Sequence, residues 1–159
     1  MLLLNFVNYY AMNRIHMLRH GDDFKLCKRN YLLRSGCKPY GLWYGIDNSW
    51  IDWCESEMPE WVSPHRYKLD IDMSKVLVVD TIEKMYDINK HVVNTDEYFH
   101  LKNYDIDWTY FEKKGYKGIE IPRYMHELRM KNDFFWYYSW DVASGCIWDT
   151  SIIKSITKI

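Results

Sequence analysis

The sequence lacks the cysteine spacing of a disulfide framework or a zinc site. Its four cysteines are Cys27, Cys37, Cys54 and Cys146, and none of them forms a CxxC pair. Small disulfide-stabilised domains and structural zinc sites usually contain closely spaced cysteines. We therefore expect free thiols, a reducing cytoplasmic location and no metal site.

Long hydrophobic runs are also missing. No stretch approaches the roughly 20 apolar residues that span a bilayer. The apolar start, residues 1–7, is short, and it has no basic segment before it and no small-residue cleavage site after it. The sequence therefore predicts neither a membrane partner nor a signal peptide.

An excess of charge of one sign is absent as well. The formal net charge is −1, from 21 basic and 22 acidic residues, which gives no general attraction to nucleic acid or acidic lipid. The best local basic group consists of Arg123, His126, Arg129 and Lys131. It is interpreted either as a solvated loop or as a contact for phosphate or a protein partner. The oligomeric state stays open.

Aromatic residues are abundant, at 18% of the chain with 8 Trp and 14 Tyr. Aromatic side chains bury large areas in a core and also form flat walls for planar ligands. A chain of 159 residues has the length of one domain, so we expect a single domain over residues 1–159.

The residue patterns predict strands with helices inserted between them. Predicted strands cover 41–46, 66–72, 75–80 (a central strand), 116–121 and the aromatic region 134–148. Predicted helices begin near Ser49, Thr81 and Asp107, and a further short helix over 25–33 is a possible reading. This arrangement indicates a mixed α+β domain.

Three groups of residues carry a family resemblance. They are Leu18-Arg19-His20-Gly21, Gly41-Leu42-Trp43-Tyr44-Gly45, and Lys114-Gly115-Tyr116-Lys117-Gly118-Ile119 with the later Ile147-Trp148-Asp149-Thr150-Ser151-Ile152-Ile153-Lys154-Ser155-Ile156. In this order they resemble motifs of the ADP-ribosyltransferase superfamily, including its bacterial and phage members. The resemblance implies split mixed or antiparallel sheets with inserted helices, and NAD bound as substrate in a cleft between them.

The resemblance also implies roles for particular residues. His20 and Gly21 would hold the ribose and the nicotinamide amide of NAD, and Tyr44 would stack on the nicotinamide. Ser49, at the start of the next helix, is a further cofactor-binding candidate whose simpler role is a helix cap. The implied activity is transfer of ADP-ribose to a macromolecular target, such as a host protein. An RNA-modifying transferase is a third reading, which the neutral charge does not favour.

The catalytic glutamate of these relatives has no counterpart in the sequence. Counting back from Trp148-Asp149, its place falls on Ser144. Breaking the nicotinamide–ribose bond develops positive charge, and a carboxylate stabilises that charge electrostatically, whereas a serine cannot neutralise it. The two catalytic candidates are therefore Asp141 and Glu120.

Each candidate acid has a simpler reading. Asp141 would reach the site through a bulge that Gly145 permits, or it serves only as an acceptor in a turn. Glu120 would reach from a neighbouring strand, but its alternation with Ile119 and Ile121 predicts the solvent face. If neither acts, the chain is a catalytically inactive interaction or inhibitor protein on the same fold.

Overall fold

A seven-stranded sheet organises the chain, in a computed structural model that describes residues 11–19, 23–93 and 105–159. Its strands are β1 (Arg14–Met17), β2 (Leu42–Ile46), β3 (Arg66–Ile71), β4 (Val76–Val78), β7 (Gly118–Ile121), β8 (Ser144–Ile147) and β9 (Ile153–Lys158), and a separate ribbon pairs β5 (Val92–Val93) with β6 (Asp105–Ile106). The order is β4-β7-β8-β2-β1-β3-β9. Only β4 and β7 are parallel among the neighbours in this sheet of the described chain.

Four α-helices accompany the sheet in the described part of the chain, so the α+β prediction is confirmed. They are α1 (Ser49–Glu57), α2 (Ile82–Asn89), α3 (Trp108–Lys113) and α4 (His126–Arg129). The predicted cap of α3, Asp107, is confirmed, and in the cap pattern predicted over residues 80–83 the N-cap of α2 is Thr81. Thr81 accepts a hydrogen bond from the backbone N–H of Lys84, and Asp107 accepts one from that of Thr109.

Two predictions of secondary structure are wrong, the aromatic strand over 134–148 and the short helix over 25–33. Asn132–Trp140 forms two short 3₁₀-helices joined by a kink at Phe134, and only Ser144–Ile147 of the expected aromatic strand is a strand. After the kink, Tyr137 and Trp140 lie three residues apart and are both buried, which fits the repeat that aligns side chains on a 3₁₀-helix. Residues 25–33 contain no helix and form one isolated bridge, Asn30 with Asp149.

The apolar strand β4 lies at the edge of the sheet and not at its centre. Its continuous hydrophobicity has another cause, since both of its faces are covered. Val76 belongs to one hydrophobic cluster and Leu77 packs against the other. A strand buried on both faces needs apolar residues throughout, wherever it lies in the sheet.

The sheet separates these two hydrophobic clusters. Along β2, Leu42, Tyr44 and Ile46 belong to the smaller cluster, while Trp43 packs against the larger one. This alternation follows from the two-residue repeat of a strand. The larger cluster holds most of the buried aromatic side chains, namely Phe111, Phe134, Tyr137, Trp108, Trp136, Trp140 and Trp148.

A glycine at the centre of the sheet lets one aromatic ring lie across a strand. Gly145 of β8 is paired on one side with Tyr44 of β2 and on the other with Glu120 of β7. A Cβ on Gly145 would approach Tyr44 Cε2 to 2.8 Å and the atoms Cζ and Oη more closely still. The Tyr44 ring therefore occupies the space of the missing side chain and points towards Glu120.

We predict that Gly145→Ala destabilises the fold, because the methyl group overlaps a ring that is buried and cannot move aside. Overpacking of this kind costs about 1–3 kcal/mol. The free energy of unfolding in urea measures the effect. Gly36→Ala is the matched control, because its Cβ would meet its nearest neighbour at 3.4 Å. Equal stability of the two variants would contradict the packing described for Tyr44.

Candidate functional site

Strands β1 and β2 separate after a short paired stretch. They are in register at Arg14 with Ile46 and at Ile15 with Gly45. Past these pairs, β1 continues to Met17 and β2 extends back to Leu42 without being paired to each other. The resulting gap is bridged by a side chain, because Nδ1 of His16 lies 2.7 Å from the carbonyl oxygen of Trp43.

A cleft opens at this separation. It has a volume of about 230 Å³ and is lined by Ile15, His16, Met17, Lys38, Trp43, Tyr44, Gly45, Trp50, Trp140, Val142 and Ser144. Trp43 and Trp140 meet edge to face with ring centroids 5.0 Å apart, and Lys38 Nζ lies 5.3 Å from the Trp43 centroid. The cleft is thus a largely aromatic site with a few polar groups, which is the usual composition of a small-molecule site.

The two basic side chains of the cleft differ in charge. Burial lowers the pKa of His16, so its ring is neutral at pH 7. A carbonyl oxygen can only accept, so Nδ1 carries the proton and Nε2 is left as an acceptor. Burial also lowers the pKa of Lys38, an effect that the nearby charge of Asp141 opposes.

A buried ion pair lies under the sheet's centre. Arg14 Nε and Nη2 donate to the two carboxylate oxygens of Glu120 at 2.6 and 3.0 Å, and the Tyr44 hydroxyl donates to the same carboxylate at 2.9 Å. Arg14 is 6% exposed and Glu120 is 0% exposed. Burial raises the pKa of Tyr44, and the charge of Glu120 raises it further. The prediction that Glu120 faces solvent is therefore wrong.

These contacts limit what Glu120 and Tyr44 can do. Both oxygens of Glu120 already accept strong hydrogen bonds, and the residue does not line the cleft. Tyr44 does line the cleft but is only 3% exposed. Its ring is mostly committed to the core, and the more exposed Trp43 beside it offers the larger aromatic surface to a ligand.

Ser49 ties the start of α1 to the strands. Its hydroxyl accepts a hydrogen bond from the backbone N–H of Ile46 and donates one to the carbonyl of Ala143 at 2.6 Å. The capping-box prediction is wrong, because Ser49 is the first residue of α1 and Asn48 is its N-cap. Ser49 thus positions α1 and the segment before β8 on either side of the cleft.

Asp141 occupies an unusual turn at the rim of the cleft. It has φ 60° and ψ −44°, and the backbone N–H of Val142 bonds to the carbonyl of Trp140 at 2.6 Å. This is a γ-turn with positive φ, which is rare and strained for any residue with a Cβ. The flanking residues Trp140 and Val142 line the cleft, while the Asp141 carboxylate contacts Arg129 Nη2 at 3.4 Å.

The expected bulge near Gly145 does not form. Gly145 lies in the regular part of β8, so Asp141 is presented by the γ-turn and not by a bulge. Ser144, at the place predicted for the missing acid, does line the cleft, and its hydroxyl donates to the carbonyl of Val142 at 3.0 Å. His20 and Gly21 lie outside the described residues.

The sequence analysis missed Arg14, His16 and Lys38 as site residues, and it considered Trp140 only as part of an aromatic run that forms a packed strand or a pocket wall. One signal could have identified Arg14. It is a charged residue within a short strand, and a charge that is buried in a sheet needs a partner of opposite charge. The other three are brought to the cleft by long-range pairing and by the 3₁₀-helix, for which the sequence carries no local signal.

Comparison with known proteins adds no relative to this picture. No protein-family model matches the chain, and neither the curated proteins nor the solved structures include a match.

Across residues 11–19, 23–93 and 105–159, every helix is too short or too polar to cross a membrane. In the same part of the chain, no three His, Cys, Asp or Glu side chains come together as a metal site.

We predict that Arg14 and Glu120 stabilise the fold as a pair. Removing one partner, by Arg14→Met or Glu120→Leu, leaves a buried charge and costs about 3–5 kcal/mol. The double variant removes both charges, so it should lose less than the two single losses combined. Urea unfolding of all four proteins measures the coupling. Additive losses would contradict a direct energetic link.

We also predict that Asp141→Gly stabilises the protein, because glycine adopts positive φ without a steric penalty. The gain should be about 1 kcal/mol, and the thermal unfolding midpoint should rise. Asp141→Ala is the control, since it removes the carboxylate but keeps the strain. An alanine variant as stable as the glycine variant would show that the turn is not strained.

Proposed function

We propose that the protein is an ADP-ribosyltransferase-like protein that binds NAD with its nicotinamide end in the cleft between β1 and β2. The observation that carries the proposal is this aromatic cleft, located where two strands of one sheet separate. The sequence resemblance implies a cleft between two sheets, whereas this cleft lies between two strands of a single seven-stranded sheet. The motif segment 41–45 contributes three residues to the lining.

The shape and chemistry of the cleft support one end of a dinucleotide. Its volume of about 230 Å³ lies below the roughly 300–1,000 Å³ of sites that enclose a drug-sized ligand. It therefore accommodates a single ring with part of its ribose. Nicotinamide is a flat aromatic amide, which suits the indole walls of Trp43 and Trp140. The amide N–H matches the acceptor Nε2 of His16, and Lys38 attracts the phosphates.

Transfer of ADP-ribose makes a further demand on the site. The bond between nicotinamide nitrogen and ribose C1′ breaks, and nicotinamide leaves with the electron pair. A nucleophile of the acceptor then bonds to C1′ and loses its proton. Positive charge develops on the ribose, so a carboxylate nearby would lower the barrier. None of the described residues lining the cleft is acidic.

Asp141 is the acid that we propose for this role. It follows Trp140 directly and precedes Val142, both in the cleft wall, and its charge already acts on Lys38. Its strained turn would relax if the carboxylate turned from Arg129 towards the bound ribose. Glu120 has a different role in the proposal, because its hydrogen bond from Tyr44 holds the strand that forms the floor of the cleft.

The second candidate is an interaction protein that binds a ligand or partner without turnover. The observation that favours it is the absence of an acid among the described lining residues, with Ser144 in the expected place. Exposed apolar side chains away from the cleft, Met130 at 78% and Phe135 at 60%, are consistent with a protein partner.

Thermal unfolding with and without NAD tests the proposed binding. A ligand at 100 times its dissociation constant stabilises a protein by about 2.7 kcal/mol, so the unfolding temperature should rise with NAD concentration. Lys38→Ala and Trp43→Ala should lose this rise. Phe135→Ala, an exposed aromatic outside the cleft lining, is the matched control and should keep it. No rise in the native protein would overturn the proposal.

Nicotinamide release from NAD separates the two candidates. If Asp141 supplies the charge, Asp141→Asn should lower the release rate by on the order of 10²–10³ while the thermal shift with NAD persists. Binding without release, in the presence of candidate acceptor proteins, would favour the non-catalytic candidate. Release that is unchanged in Asp141→Asn would remove Asp141 from the mechanism.

A further inference from the structure

We propose that α1 and the turn after it form a docking surface for an arginine-bearing, basic segment of a protein partner. The surface, called the tryptophan face below, consists of Trp50, Trp53 and Trp61 with the acidic side chains around them. It goes beyond the proposed function, because it concerns a macromolecule and stands whether or not NAD binds in the cleft.

The three indoles form one aromatic group at the surface. Trp50 and Trp53 are stacked with centroids 4.9 Å apart and planes 10° from parallel, and Trp61 lies 6.3 Å from each of them. All three side chains are partly exposed. The buried residues of α1 are Ile51 and Cys54, so none of the three tryptophans is among the side chains that α1 or the following turn, Pro59–Trp61, buries. The three indoles resemble the aromatic anchors of binding surfaces.

The chain itself shows which group this surface attracts. The guanidinium carbon of the exposed residue Arg19 lies 4.8 Å from the centroid of the Trp61 ring. A cation over an indole is attracted by the ring's electron-rich face, and tryptophan is the strongest aromatic partner for it. The tryptophan face therefore already holds one guanidinium, and the stacked pair Trp50–Trp53 offers a second indole surface of the same kind.

The surrounding charge favours a basic partner. Residues 47–65 contain five acids, all exposed, and no lysine or arginine, although the whole chain carries only −1. The five acids are Asp47, Asp52, Glu55, Glu57 and Glu60. Such a surface repels the phosphates of a nucleic acid and attracts cationic peptide, so the observations favour a protein segment.

Two of these acids do not serve the helix. Glu55 and Glu57 lie in the last part of α1, and no basic residue is present in its last turn. Negative charge at a helix C-terminus opposes the helix dipole and is mildly destabilising. Helix stability therefore does not account for them, and on the same helix as Trp50 and Trp53 they add negative charge that attracts a cation.

The tryptophan face adjoins the cleft. Trp50 belongs to both, because it lines the cleft and stacks on Trp53. Gly45 makes the junction close, since a Cβ there would lie 2.8 Å from Trp50 Cβ. A segment docked on the indoles therefore runs past the mouth of the cleft. Arginine is favoured over lysine, because its planar guanidinium stacks on aromatic rings and is less strongly hydrated.

Peptide binding to the full chain tests the proposal. The probes are three ten-residue peptides that alternate glycine with arginine, lysine or glutamate, measured by calorimetry at low and physiological salt. We expect the arginine peptide to bind most tightly, the lysine peptide more weakly, and the glutamate peptide not at all. Binding of the arginine peptide should weaken as salt rises. Equal or no binding of all three would overturn the proposal.

Two variants locate the binding. Trp53→Ala should weaken the arginine peptide by about tenfold, the effect of losing one strong cation–π contact. Since Trp53 is partly buried, the second variant, Glu55→Gln with Glu57→Gln, alters only exposed side chains and should weaken binding without loss of stability. Glu83→Gln, an exposed acid on α2, is the matched control and should bind like the native protein.

The outcomes distinguish this proposal from the proposed function. An arginine peptide that binds a protein with no thermal shift from NAD would support the tryptophan face and overturn the NAD cleft. A rise in the unfolding temperature with NAD, without binding of the arginine peptide, would support the NAD cleft and overturn the tryptophan face. Peptide binding that the Glu55/Glu57 double variant leaves unchanged, or tighter binding of a ten-nucleotide single-stranded RNA than of the arginine peptide, would overturn the tryptophan face.

Discussion

A carboxylate with no exposure to water needs charged or hydrogen-bonding partners, and in this protein that need joins three strands. Glu120 on β7 receives two hydrogen bonds from Arg14 on β1 and one from Tyr44 on β2. An unpaired buried charge would cost several kcal/mol. The two ends of the network lie 106 residues apart in sequence, so it can form only when β1, β2 and β7 are assembled around β8. The central glycine of β8 is a direct consequence, because the Tyr44 ring crosses the sheet over it.

The same network determines where a cleft can form. Arg14 and Ile15 hold β1 against β2 at one end, and from there β1 turns towards its other neighbour, β3. The two strands separate at the level of Trp43, and the bond from His16 to the Trp43 carbonyl defines the limit of the gap. The aromatic wall is supplied from elsewhere in the chain, by the 3₁₀-helix that carries Trp140 and by α1. The cleft is therefore a product of long-range pairing, with local sequence providing only its side chains.

This origin explains what the sequence could and could not predict. Local signals predicted the caps at Thr81 and Asp107 and the strands around Tyr44 and Leu69, because capping and alternation act within a few residues. The alternation of residues along β7 correctly placed Glu120 on the face opposite Ile119, but it does not show which of the two faces is exposed to water. The side of Glu120 is buried because the distant Arg14 pairs with it there. The segment 132–140 was predicted as strand because its aromatic residues have high strand propensity, and the sequence carries no local signal for the 3₁₀ conformation.

The positions of the two acids bear directly on catalysis at the proposed NAD cleft. The fold surrounds the buried Glu120 with hydrogen-bond donors, and a carboxylate whose two oxygens are bonded in this way is poorly placed to stabilise charge on a substrate. Asp141 has the opposite character, because its contact with Arg129 is long, at 3.4 Å, and its backbone has positive φ. A weakly held carboxylate on a strained turn can be reoriented at a small cost in free energy. An acid that already pointed into the aromatic cleft would lose its hydration without gaining a partner. The arrangement therefore favours a mechanism in which the bound ligand brings the charge into the site, with Lys38 as the neighbouring cation that already attracts it.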